Sequence, residues 1–271
     1  MRKLLKADLF CLFRNRVLRF CMTGAFVFSS LYLLQTGSTG DEVQVLDEAM
    51  MQTFPFLPIL YGAFVSLFIG LEYQDGTMRN KLISGHPRWK VYGAYLITSI
   101  AGCLAILFAW GLSCVAGMIR FGWFRAPAKS LLLSLGVILC LTASIAAILT
   151  LLGILVSNRA VSGVAAILLI FGMIALGSYF YNALSEPEFA SAAIMTGDGF
   201  QVGEPQPNPG YISGTLRTVY QFAVEALPTG QAILLANQEL EHPVVSLAAS
   251  FGILVFTVLA GSFIYTQKDL K

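Results

Sequence analysis

Apolar residues in this chain come in long unbroken blocks rather than in alternation with polar ones. A helix rises 1.5 Å per residue, so about 20 apolar residues are needed to cross a hydrocarbon layer roughly 30 Å thick. Six blocks reach or approach that length: 20–34, 52–71, 91–118, 131–156, 161–181 and 244–265. The first is short, although Val17 and Leu18 lengthen it and Arg19 can carry its guanidinium to the headgroups along its aliphatic stem. The third and fourth exceed one crossing, which predicts tilt or ends that emerge into water. The pattern predicts an all-α polytopic membrane protein, with a transmembrane domain over residues 20–271.

The segments between the blocks are patterned differently. In residues 1–19, Leu4, Leu5, Phe10, Leu12, Phe13, Val17 and Leu18 recur at roughly helical spacing among Lys6, Asp8, Arg14 and Arg16. That mixture predicts an amphipathic helix lying along the cytoplasmic interface, its apolar side in membrane lipid and its basic groups among headgroups. Residues 72–90 are longer than a turn-back requires and hold charges of both signs. A helix-compatible run over 77–84 is closed by Gly85 and Pro87, and Asp75 or Thr77 is placed to cap it. Residues 182–243 form a long acidic segment whose Gly- and Pro-rich middle, 197–214, predicts irregular chain. After it, Leu216, Val219, Tyr220, Ala223 and Leu227 fall on one side of a helix and Arg217, Gln221 and Glu225 on the other; a second helical piece follows over 231–239.

Composition sharpens this picture. The chain is 56% hydrophobic and only 12% charged, with mean hydropathy +0.73, about half the charge of a soluble globular domain. A soluble enzyme is thereby disfavoured. A net charge of +2, with basic residues beside the spans rather than on one polar face, argues against a nucleic-acid partner. The five cysteines lie near the N-terminus or in apolar stretches and read as structural thiols. His86 and His242 stand alone, without a second ligand at metal spacing. Arg14, Arg16 and Arg19 interrupt any signal-peptide core, and 35–40 offers no clean cleavage site.

Orientation follows from Lys and Arg near the span ends. With a cytoplasmic N-terminus, the inner segments hold thirteen basic residues against four acids, and the outer segments hold four against eleven. Both termini are therefore expected inside, with 72–90 cytoplasmic and 182–243 extracellular. One outer loop runs against the rule, holding Arg120, Arg125 and Lys129. The spans show no acid or base at mid-depth, which disfavours an ion-coupled secondary transporter. A non-transporting scaffold or sensor is the other alternative.

The run FIGLEYQDGTMRNKLISGHPRWKVYGAYL, residues 68–96, resembles the signature region of bacterial type 2 ABC exporter permeases, the ABC-2 family. Glu72, Tyr73, Gly76, Thr77, Arg79, Asn80, Gly85, Arg88 and Lys90 stand where that pattern has them, and the close GSFIYTQKDLK, 261–271, is similar to the family's polar tail. The resemblance implies a multi-pass permease of the bacterial cytoplasmic membrane. Its partners would be two copies of an ABC ATP-binding subunit, which carry ATP and Mg, and a second membrane subunit, identical or paralogous. This chain has no GxxxxGK[ST] run of its own and is expected to bind no cofactor. The substrate class implied is an amphipathic peptide, a drug or a lipid-like molecule, since spans rich in apolar residues would bind a sugar or an ion poorly.

Three sets of residues follow as expectations. Thr77, Met78, Arg79, Asn80, Lys81 and Leu82 form a coupling helix against the ATPase, with Met78 and Leu82 as its apolar ridge. Glu72, paired with Arg79, Arg88 or the leader helix, closes an inner gate with Arg88. Tyr220, Gln221 and Glu225 belong to an outer gate.

Overall fold

The computed structural model describes residues 2–36, 46–190, 193–196, 199–202 and 205–267. The 37–45 loop, part of the 182–243 segment and the basic tail at 268–271 lie outside these residues. So do the side chains of Arg2, Lys3 and Arg120, so the orientation count and the resemblance of the tail rest on sequence there.

The chain begins with α1 (Arg2–Arg14) and α2 (Arg16–Thr36), which meet at Asn15. The Asn15 carboxamide oxygen accepts from Val17 N at 2.7 Å, capping α2 with a side chain suited to the task. The leader thus separates from the first span at Asn15, earlier than the boundary expected after Arg19. Next come α3 (Leu46–Gln52), a 3-10 turn (Phe54–Phe56) and α4 (Leu57–Gln74), which together make one interrupted span. Pro55 and Pro58 lack amide donors, and the break falls where they stand. It is held by a buried polar knot. Trp110 Nε1 donates to Thr53 Oγ1 at 2.8 Å, Ser29 and Thr53 hydroxyls lie 3.1 Å apart, and Ser113 donates to Ser29 at 2.8 Å. In lipid a broken helix is tolerated where its polar groups find partners of this kind.

The chain continues through α5 (Thr77–Ile83), α6 (Arg88–Phe121), α7 (Ala128–Leu155) and α8 (Arg159–Ser185). After short strands come α9 (Gly214–Ala226), α10 (Pro228–Ala236) and α11 (Pro243–Gln267). Among the described residues, six helical segments are long and apolar enough to cross a membrane, and the chain is an all-α polytopic membrane protein. The α3–α4 span and α7 are the centre of the bundle. By contrast α2, α8 and α11 are largely open, with Phe20, Phe26, Phe171, Phe251, Phe256 and Phe263 exposed as lipid-facing residues are.

The middle expected to be irregular, 197–214, includes short strands among its described residues. Strands β1 (Phe189–Ala190) and β4 (Gln206–Pro207) pair antiparallel, as do β2 (Ala193–Thr196) and β3 (Gly199–Val202), with Ala193 opposite Val202.

The basic loop between α6 and α7 has a partner after all. The Asp47 carboxylate, buried at the start of α3, accepts from Arg125 N at 3.1 Å and Ala126 N at 2.7 Å. The contact uses the loop's backbone amides, so an acid holds this stretch of the basic loop.

Candidate functional site

At the α4–α5 end of the bundle, four elements meet on one ammonium group. Lys81 of α5 lies 2.8 Å from Asp8 Oδ1 of α1, 3.1 Å from Glu72 Oε2 of α4 and 2.8 Å from Tyr95 OH of α6. The same Glu72 oxygen also accepts from Thr77 Oγ1 at 2.6 Å and from Tyr95 OH at 2.8 Å. Lys81 is close enough to the Tyr95 ring, 4.1 Å from its centroid, to add a cation–π contribution. The Lys81, Asp8 and Glu72 side chains are only 15%, 7% and 18% exposed, so these are largely desolvated interactions.

The local backbone makes this convergence obtainable. Gly76 and Gly85 bracket α5 with φ of 66° and 83°, left-handed conformations that glycine adopts without the strain of a Cβ. No side chain caps α5, contrary to the expectation for Asp75 or Thr77. The Thr77 hydroxyl instead donates to Glu72 O and Oε2, and Asp75 closes the end of α4.

The expected coupling residues divide between two faces. Met78 is 1% exposed in the core, and Leu82 packs against the same core. The ridge they form therefore faces the bundle and not outward, and Lys81 is consumed by the network. Spacing of four identifies a face without saying which way it points. The outward face consists of Arg79, Asn80 and Ile83, the last 75% exposed, with Trp89 exposed nearby on α6.

Glu72 does have a basic partner, but it is Lys81 rather than Arg79 or Arg88. The leader helix joins as an acid, through Asp8. Arg88 Nη1 donates to Thr266 O at 2.9 Å and so ties the start of α6 to the end of α11. The structure brings Glu72, Thr77 and Lys81 together and leaves Arg88 outside that cluster. Asp8 and Tyr95, the two members sequence reasoning missed, carry one weak signal each: an acid at helical spacing between Leu4 and Leu12, and a tyrosine two turns into an apolar span.

At the other end, α9 turns its polar side inward. Gln221 and Glu225, with Arg217, line a cavity of about 730 Å³ shared with Tyr181, Glu239 and Glu241, while Leu216, Val219 and Phe222 are exposed. Glu225 is 5% exposed and lies 3.0 Å from His242 Nδ1; the Gln221 amide donates to Glu241 Oε2 at 3.4 Å. Tyr220 is apart from the cavity, packed at 6.1 Å and 5.1 Å between the rings of Tyr179 and Phe180. The three expected outer-gate residues thus divide between a cavity wall and an aromatic cluster.

The helix that follows, α10, is inserted among its neighbours. Pro228, Thr229, Gly230, Gln231, Ala232, Leu234 and Leu235 of α10 are buried. Gln231 alone makes three bonds, donating to Glu225 O at 2.7 Å and Ser246 O at 3.0 Å and accepting from Ser250 at 2.8 Å. Gly230 lies against Gly177 of α8, where a Cβ on Gly177 would sit 3.1 Å from Gly230 Cα. This is the close approach that small residues permit between membrane helices.

Among protein families, residues 4–175 match the ABC-2 family transporter protein model, more than half of the chain. The chain belongs to the ABC-2 transporter family. Comparison with curated proteins and with solved structures found no match. The part that matches ABC-2 transporters contains all of Asp8, Glu72, Thr77, Lys81 and Tyr95, whereas α9, α10, α11 and the 730 Å³ cavity lie beyond it.

Proposed function

We propose that this chain is the permease subunit of an ATP-driven exporter in the bacterial cytoplasmic membrane, with the α5 end cytoplasmic. Hydrolysis is supplied by two copies of a separate ATP-binding subunit, and a second membrane subunit, identical or paralogous, completes the pathway. The substrate is an amphipathic peptide, a drug or a lipid-like molecule.

The observation that carries this reading is the division of α5. One face is fastened to α1, α4 and α6 through Lys81, and the opposite face offers Arg79, Asn80 and Ile83. A helix seven residues long cannot hold its own conformation in water. Rigidly fixed on one side, it can pass a push on its free side directly to the inner ends of three helices. A mixed apolar and charged surface of that kind suits docking of a soluble protein.

The test reconstitutes the chain with its cognate ATPase in proteoliposomes. Arg79→Glu with Ile83→Asp is expected to leave insertion intact while abolishing ATPase co-purification and ATP-dependent flux. Unchanged co-purification and flux in that double variant would remove α5 from the interface. Flux that follows an imposed ion gradient without any ATPase would replace the exporter reading with that of a secondary transporter.

A further inference from the structure

The Lys81 cluster is one positive charge short. Two carboxylates, Asp8 and Glu72, share a single ammonium, and the donors are divided unequally. Glu72 Oε2 receives Lys81, Thr77 and Tyr95. Asp8 receives Lys81 on Oδ1 alone, and its Oδ2 is buried with no hydrogen-bond partner. Asp8 as a whole is 6% exposed. An ionised carboxylate with a bare, desolvated oxygen is among the costlier arrangements a fold can hold. The donors thus keep the negative charge on Glu72, and Asp8 is the acid on which a proton does most good.

We propose that Asp8 is a proton-binding site that makes docking of the leader helix α1 against α5 tighten as the pH falls. The proton comes from bulk water when α1 docks and returns there when α1 undocks about Asn15, the one residue between α1 and α2.

Burial pushes the Asp8 carboxyl up from its ordinary range, outweighing the opposing pull of the Lys81 ammonium, and the Glu72 carboxylate pushes it further the same way. Hydration on undocking restores the ordinary value. Between the two values the docked state binds more protons. Docking is therefore fully favoured below the ordinary carboxylate range and weakens as pH rises through the raised value. A simple ion pair between Asp8 and Lys81 would have the opposite sign, loosening on acidification. The groups that set this balance come from three other elements: Lys81 on α5, Glu72 on α4 and Tyr95 on α6, with Tyr265 of α11 acting on Tyr95 from farther away. The consequence for coupling rests on the exporter reading, because α1 would then act as a pH-dependent brace behind the docking helix. The proton site itself does not.

The test uses the full chain alone in lipid nanodiscs, so it is independent of any ATPase. Spin labels are placed on Cys11, which is exposed on α1, and on Ser84→Cys, exposed after α5, with the other four cysteines replaced. The docked fraction from the distance distribution is followed against pH, and infrared difference spectra report protonated carboxyl groups. The docked fraction should rise on acidification, with a protonated-carboxyl band that is lost in Asp8→Asn. That variant should stay docked at every pH. Glu72→Gln restores one acid to one ammonium and should reverse the sign, so that acidification loosens α1. A docked fraction in the wild-type chain that falls on acidification, or an Asp8→Asn chain looser than wild type, overturns the proposal. So does a docked fraction set by sodium concentration at fixed pH, which would make the missing charge a metal cation.

Discussion

The two ends of this bundle solve the same problem, holding short helices against membrane spans, with different chemistry. At the α5 end a seven-residue helix is fixed by charge: one lysine bridges three elements, and the face behind it remains open. At the α9–α10 end a nine-residue helix is fixed by insertion, with small residues and one satisfied glutamine buried among α8, α9 and α11. Charge can be tuned by a proton or undone by a partner's competing group, whereas an inserted helix yields only to repacking. The first arrangement is suited to receiving a signal and the second to resisting one.

The largest effect should come from Lys81→Met, which strands Asp8 and Glu72 in a largely buried site. A loss of about 3 kcal/mol is expected, the low end for breaking a buried pair, because Lys81 keeps some contact with water. Unfolding midpoints in mixed micelles measure it. The triple variant Lys81→Met, Asp8→Asn, Glu72→Gln should recover most of the loss, since the loss comes from unpaired charge. A Gly230→Ala chain should follow. Its new methyl group would collide with the Val224 carbonyl oxygen, backbone that cannot give way, at about 2 kcal/mol. If the α9–α10 end is held by close approach, this variant lowers stability while leaving the α1–α5 distance unchanged.

Gln231→Leu conserves approximate size and removes three hydrogen bonds, for an expected loss of about 1–2 kcal/mol by the same unfolding measurement. A neutral result would mean that apolar packing alone holds α10. The smallest effect on stability belongs to Ile83→Ser. Ile83 is 75% exposed, so the change should stay within about 0.5 kcal/mol while weakening ATPase co-purification. Stability and coupling would then separate on opposite faces of one helix.

The spans were legible in the sequence because lipid imposes length and apolarity on each crossing, and the six observed segments fall on the six predicted blocks. What bends or inserts was harder to see. Pro55 and Pro58 mark a break only when the Thr53, Ser29, Trp110 and Ser113 side chains converge on it from other spans. The second helical piece was expected over 231–239, whereas α10 starts at Pro228, and its polar residues Thr229 and Gln231 each find a buried partner supplied by α8, α9 or α11. Exposure of α5 was readable from its charges, but the direction of its faces was not. Lys81 finds Asp8 more than seventy positions earlier, a pairing that local spacing does not encode. The same holds for α9, where amphipathic spacing located two sides and the fold turned the polar one inward.

The most direct test of a docking face on α5 is disulfide trapping against the ATP-binding subunit, with the five native cysteines removed. Single cysteines at Asn80, Ile83 and Met78 are compared in membranes, using a partner that bears cysteines across its permease-facing surface. The account predicts efficient crosslinks from positions 80 and 83, varying with nucleotide state, and none from the buried position 78. Crosslinking from position 78 with none from 80 or 83 would contradict it.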